Sequence, residues 1–402
     1  MARRAVIVDA VRSPFGKGRA AGALAPVHPV DLLAGIIEAL VERTGLDPGL
    51  VDDVIAGCAI PVGEQAGNIA RHAALAAGLP ESVPGTTVDR KCGSSLQALQ
   101  FAAQGVVAGD LDVVLVGGVD MMGTVPMKAN RLGRDDLGPR LRARYPDGLG
   151  HQGIAAELIA ARWKISRDDS DAWSLRSHHR AADATRTGFL RRQIVPVQRP
   201  DGSVVTGDEG IRPDASAEAL AALPPAFFDE ATARRWPEIG WVVTAGSSSQ
   251  VSDGASAALV VGEDVAAALG LVPRAAIMAG TVVGSDPILM LTGPIPATGK
   301  VLARAGLSLS AIDLFEVNEA FAPVVLAWLA ETGVDPDRVN AYGGAIALGH
   351  PPGASGCRLL ATVLDGLDDV NGRYGLVTLC ESGGMANAMV LERLSEGLTL
   401  TR

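Results

Sequence analysis

Thr44-Gly45-Leu46-Asp47 leading into Val51-Asp52-Asp53-Val54-Ile55, and Ala305-Gly306-Leu307-Ser308 leading into Ile312-Asp313-Leu314-Phe315-Glu316, are the stretches that decide the fold. Each follows an amphipathic helical pattern, and in each an aspartate stands seven positions beyond the glycine. A glycine behind a helical run can close the helix in the left-handed conformation, and the apolar run after it reads as a buried strand. The same unit occurring twice implies two βαβα halves, with chance likeness of two α/β units as the competing account. The halves also place reactive side chains comparably: Cys92 lies 47 positions beyond Gly45, and His350 lies 44 beyond Gly306.

Outward from these stretches, short apolar runs alternate with longer amphipathic ones. Strands are expected at 5–10, 53–57, 86–88, 113–117, 258–261, 275–283, 314–317 and 376–379. Helices are expected at 29–42, 94–108, 152–163, 168–187, 296–305, 320–331 and 353–367. This is the pattern of an α/β protein whose strands are mostly buried on both faces. Residues from about 122 to 244 differ in character: Arg131, Arg134, Arg140, Arg142 and Arg144 crowd one loop, Trp163 and Trp173 bracket a helical hairpin, and Pro224, Pro225 and Pro237 interrupt the stretch beyond it. An inserted ligand-binding region fits, in which the arginines either hold a ligand phosphate or form a solvated face.

With 402 residues, 48% hydrophobic and 20% charged, the chain can bury one large core or two to three smaller ones. A net charge of −10 offers no global attraction to nucleic acid or an anionic membrane. Arg3 and Arg4 precede a short apolar run that Asp9 ends too early for a signal peptide, and no stretch reaches membrane-spanning length, so the cytoplasm is the expected compartment. Cys58, Cys92, Cys357 and Cys380 form no CxxC pair and read as free thiols, with neither disulfides nor a metal site expected. Residues 293–300 have the wrong glycine spacing for a phosphate-binding loop, and no GxGxxG opens a helix after a strand.

Two glycine-rich segments, 343–351 with His350 and 380–384 with Cys380, place reactive side chains in backbone that weakens regular structure. Cys92 stands between a strand and a helix, where the helix amino end would lower its pKa and favour the thiolate. His350 suits a general base or a donor to an oxyanion. Asn318 either caps the next helix or takes part in the site, and a buried structural role is the bland account of either cysteine.

Cys92-Gly93-Ser94-Ser95-Leu96-Gln97-Ala98, Asn318-Glu319-Ala320-Phe321, the 344–356 segment with His350, and Cys380-Glu381-Ser382-Gly383-Gly384 resemble, in order and spacing, the signature blocks of the thiolases. The resemblance spans nearly the whole chain. It implies two pseudo-symmetric domains forming a layered αβαβα core, with residues 1–121 and 249–272 as the first domain, 122–248 as an inserted loop domain and 273–402 as the second. It implies a homodimer or homotetramer, coenzyme A as co-substrate, and no permanently bound cofactor. The residue matching Cys92 would be the acyl-accepting nucleophile and that matching His350 its activator. His350 would also form an oxyanion hole with a water held by Asn318, and Cys380 would be the acid/base.

A second oxyanion hole would use the backbone N–H groups of Cys92 and Ser382, although thiolases usually carry glycine at the latter position. The block 244–249 resembles a pantetheine-binding loop, with Ser249 as its hydrogen-bonding residue and Ser247 replacing a frequent asparagine. Arg212, Leu223, Phe227, His151, Ala320 and Phe321 match positions along the coenzyme and substrate path, and Pro352 replaces a usual aliphatic residue. The implied reaction is thiolytic cleavage of a 3-ketoacyl-CoA or the reverse condensation, with a lean to degradative enzymes, including those acting on bulky or steroid-derived chains. The rivals are a decarboxylating ketosynthase, which would carry histidine where Asn318 stands and lack Cys380, and a catalytically silent acyl-CoA-binding protein, which would have lost a reactive position.

Overall fold

Gly45 and Gly306 do close their helices alike. In the computed structural model, which describes residues 3–394, each sits at φ +66° behind a helix with proline in its first turn, α1 (Pro29–Thr44) and α6 (Pro294–Ala305). The repeated aspartates also do the same work. Asp52 Oδ2 accepts from the Asp112 and Val113 N–H groups at 2.6 and 2.9 Å, and Asp313 Oδ2 accepts from Arg373 and Tyr374 at 2.7 and 2.9 Å. Each carboxylate therefore aligns the start of a neighbouring strand.

The strands are β1 (Ala5–Arg12), β2 (Asp53–Gly57), β3 (Gly85–Val88), β4 (Val113–Met121), β5 (Ser252–Gly262), β6 (Ala275–Gly284), β7 (Leu314–Val317), β8 (Tyr374–Glu381) and β9 (Met385–Arg393). They follow one hydrogen-bonded path, β7-β8-β9-β6-β1-β5-β4-β2-β3, joined at its centre by the antiparallel pairs Val6 with Ala276 and Ile7 with Ala275. Read outward from that seam, both halves run first strand, last strand, then two parallel strands. In the second half the slot of β3 is reduced to a single parallel bridge between Phe315 and Val339. The two-half organisation read from the repeat is thus present in the topology.

Three apolar clusters define the layers. Helices α1 and α2 (Ile69–Ala76) cover the outer face of the first half, around Leu33, Ile37, Val54 and Leu259. Helices α3 (Ser94–Ala108) and α9 (Ser355–Asp369) lie in the middle, where Leu96, Leu99, Leu360 and Val363 contact strands of both halves. On the far side α6 and α7 (Ala322–Thr332) cover the second half around Val301, Trp328 and Val390, and the four-residue α8 (Ala345–Leu348) leads into His350. Burying such stripes from both sides is why the strands read as continuous apolar runs. Helices α4 (Gln152–Trp163) and α5 (Arg167–Arg186), together with loops and shorter helices, fill the chain between β4 and β5. This region is pinned to the core by Asp208, whose carboxylate takes two hydrogen bonds from the fully buried Arg12 guanidinium at 2.6 and 2.8 Å.

Several elements lie outside the sequence expectations, strand β9 and helix α2 among them. Strand β9 is buried along most of its length on both faces, so it lacks the polar alternation of a half-exposed strand. Helix α2 is only eight residues long and is capped by Asn68 at φ +64°. No helix among the described residues is long and apolar enough to cross a membrane.

Candidate active site

Three of the reactive residues stand at the carboxyl end of a parallel strand: Cys92 after β3, Asn318 just after β7, and Cys380 at the last but one position of β8. Open α/β sheets present their chemistry at that edge. Cys92 occupies a tight elbow in which Gly93 N–H donates to Arg90 O, Ser94 N–H donates to Lys91 O, and Ser94 Oγ accepts from Arg90 N–H at 2.9 Å. The thiol is buried at 8% exposure. Burial first, and then the Glu381 and Asp120 carboxylates, push it up to about 12. This corrects the expectation of a lowered pKa: a helix amino end contributes about 0.3–1 kcal/mol, whereas full desolvation shifts a pKa by up to about 3–5 units.

His350 stands on backbone that only glycine supplies, since Gly349 sits at φ +106° and ψ 167°. Its N–H donates to Ser252 Oγ at 3.0 Å. Ser355 Oγ donates to Pro351 O at 2.8 Å and is therefore the acceptor in its 2.7 Å contact with His350 Nδ1. That assigns the imidazole proton to Nδ1 and leaves Nε2 as an acceptor, facing Asn318 Nδ2 at 3.4 Å. Burial, helped by the Arg358 guanidinium, pushes His350 down to about 3. The resting site thus holds a neutral imidazole and a neutral thiol, with a lone pair ready to accept a proton. Asn318 is buried, and its Oδ1 has no hydrogen-bond partner among the described residues.

Cys380 belongs to an apolar cluster with Ala156, Met290, Leu291, Phe321 and Val324. Burial and the nearby charge of an ionised Cys92 hold its thiol well above the ordinary value, which puts the two sulfurs within electrostatic reach of each other. The turn after it has positive φ only at Gly383 (+90°) and Gly384 (+77°), so Ser382 fits without backbone strain, and its Oγ is bonded by Gln152 Nε2. The His350 loop is tied to α3, the helix that follows Cys92, where Cys357 N–H donates to Ser95 Oγ at 3.2 Å. Gly353 N–H also donates to Asp120, at 2.6 Å.

The residues expected along the coenzyme path divide. Ser249 N–H donates to Ala320 O and Ala322 N–H to Ser247 O, pairing the 244–249 loop with the segment after Asn318. His151 caps α4 through Nδ1, its ring lies 5.4 Å from that of Phe227, and Phe227 meets Phe321 edge-on at 5.9 Å. Leu223 packs beside Gly246. Arg212 is exposed and stands by His178 on α5 instead, its backbone N–H donating to Nδ1 at 3.2 Å. In the arginine-rich loop Arg131 and Arg142 pair with Asp136 and Asp135, as a solvated face would.

Several positioning residues escape a reading of the sequence: Ser252, Ser355, Asp120, and Glu319, whose carboxylate accepts from Trp173, Ser177, Asn340 and the Ile346 N–H. Lone serines and acids carry no local signal. Only the position of Ser355, five residues beyond His350 at the start of α9, offers a hint.

Two family models together match nearly the whole chain. The family model "Thiolase, N-terminal domain" matches residues 5–264 and "Thiolase, C-terminal domain" matches residues 271–393. The chain belongs to the thiolase family. Among its relatives, the steroid 3-ketoacyl-CoA thiolase of Mycobacterium tuberculosis is 46% identical over 97% of this chain and 94% of that protein. The 3-ketoacyl-CoA thiolase of Pectobacterium carotovorum is 44% identical over 97% and 100%. The crystal structure of the Bacillus anthracis acetyl-CoA acetyltransferase superposes with a TM-score of 0.86 at 37% identity, covering 98% of this chain and 99% of that one.

Proposed function

We propose that this protein cleaves 3-ketoacyl-CoA with coenzyme A through an acyl-Cys92 intermediate. His350 Nε2 takes the Cys92 proton as the sulfur attacks the ketone carbon. The imidazolium then presents an N–H, which with the Asn318 amide stabilises the developing oxyanion. The bond between C2 and C3 breaks, and the enolate of acetyl-CoA takes a proton from Cys380. The thiol of an incoming coenzyme A gives its proton to the Cys380 thiolate and attacks the acyl group. Acyl-CoA leaves, and the Cys92 sulfur recovers its proton from His350. The same steps run in reverse give condensation. The pairing of Cys92 with Cys380, beside an imidazole whose Nε2 is free of a proton, carries this reading. A decarboxylating ketosynthase is disfavoured by the presence of Asn318 and Cys380.

Ser249, Leu223, Phe227, His151, Ala320 and Phe321 line the route for coenzyme A in this reading, with residues 122–248 as the inserted loop domain, and Arg212 reaches the nucleotide from the surface. The apolar wall around Cys380 and the likeness to a steroid-acting relative support large acyl groups. The protein works in the cytoplasm as a homodimer or homotetramer. Thiolysis of a panel of 3-ketoacyl-CoAs, from acetoacetyl-CoA to ring-bearing acids, tests the substrate, and peptide mass spectrometry tests the intermediate. No acyl adduct on Cys92 from any member would sink the proposal.

A further inference from the structure

Glu381 plays no part in the chemistry above, yet its carboxyl is buried beside the nucleophile. Side chains alternate along β8: Val377 and Leu379 face the middle layer, whereas Cys380 faces the apolar wall. Period two therefore turns Glu381 to the middle layer, beneath the first turn of α3. Its Oε1 lies 2.0 Å from where a Cβ on Gly93 would stand, so the carboxyl packs directly against the backbone beside Cys92 and any side chain at 93 would displace it. Asn387 of β9 reaches the same spot, its Nδ2 donating to Gly93 O at 2.9 Å. Three acceptors, both Glu381 oxygens and Asn387 Oδ1, are buried with no donor among the described residues. Buried acceptors are seldom left so. A single proton on Glu381 removes the charge and supplies the missing donor.

The titratable groups around this spot are Arg90 and Cys92 on the elbow and Cys380 on β8. Lys91 and Asp120 also act on Cys92, and β9 contributes the neutral Asn387. Arg90 favours the ionised carboxylate but makes no hydrogen bond to it; its Nη1 contacts Met385 Sδ at 3.8 Å. We infer that Glu381 is a positioning residue: uncharged, it seats the Cys92 elbow against the end of β8, and on ionising it opposes formation of the Cys92 thiolate. This rests on Cys92 being the nucleophile. Burial pushes Glu381 up to about 8, below the range in which the thiol itself titrates.

The test is the pH dependence of Cys92 alkylation by iodoacetamide, read by peptide mass spectrometry on the full chain, in the wild type and in Glu381→Gln. The wild-type rate should climb tenfold per pH unit, bend near the carboxyl's value of about 8, and then lag. The variant should climb without a bend and run roughly tenfold faster at the alkaline end, the factor that one pKa unit of coupling gives. Superimposable profiles with Cys92 alkylated in both proteins overturn the inference alone. Failure of Cys92 to alkylate in either overturns the nucleophile reading as well. Should the variant not fold, an unbroken slope in the wild type is sufficient to reject the idea.

Discussion

Replacing Gly349 with alanine strikes His350 through backbone alone. At φ +106° and ψ 167° the residue lies in a region open essentially to glycine, and holding another residue there costs about 1–3 kcal/mol. A Cβ would also stand 2.5 Å from Ser252 Oγ, the acceptor for the His350 N–H. Moving Ser252 away leaves that buried N–H unpaired, a further cost of about 1–3 kcal/mol. Because relaxing one term worsens the other, the loss in unfolding free energy should be roughly 2–5 kcal/mol. If the strain is relieved by shifting His350 by about 1 Å, thiolysis should fall on the order of a hundredfold. Urea unfolding followed by circular dichroism reads the first quantity, and kcat with acetoacetyl-CoA reads the second. Ser252→Ala is the control, since it removes the acceptor without adding strain and should lose only the hydrogen-bond part. A Gly349→Ala protein with wild-type midpoint and wild-type kcat would refute the assignment of Gly349 as the support of His350.

Ser355→Ala should lower kcat by about ten- to a hundredfold with little change in KM, because the Nδ1 proton loses the acceptor that fixes the tautomer; Ser355→Thr should restore much of the rate. Asp208→Asn should cost about 3–5 kcal/mol by leaving the buried Arg12 guanidinium without its counter-charge, which denaturant unfolding will measure. Glu381 is pushed from an ordinary 4.5 up to about 8, so the folded state binds its proton more tightly than the unfolded chain does. That contribution to stability is complete below about 4.5 and is lost as pH rises through about 8. The melting temperature of Glu381→Gln relative to wild type should accordingly climb across that interval and level off above it; a pH-independent difference contradicts the buried, protonated carboxyl.

Much of this architecture is legible in the sequence because its signals are local. Helix α3 has both ends where its pattern places them, flanked by Gly93 and by Gly109 at φ +84°. The glycine–aspartate repeat announces two halves because Asp52 and Asp313 each perform the same task within their own half. The features that stay hidden depend on burial or on partners far along the chain. Strand β9 carries no polar alternation because it is covered on both sides. The direction of the Cys92 pKa is misjudged from sequence because the helix amino end is visible there, whereas the desolvation and the Glu381 carboxylate that outweigh it are not. Ser355 and Ser252 gain meaning only once His350 lies between them.

Helix α3 begins two residues after Cys92, and α9 begins five after His350. They abut where Gly356 packs on the Leu96 amide and Ser95 Oγ receives the Cys357 N–H. The core therefore acts as a caliper, with each half contributing one jaw and the helix–helix seam setting the gap. Substitutions at Gly356 or Leu96, on this seam, should be felt as mis-set chemistry before they are felt as lost stability.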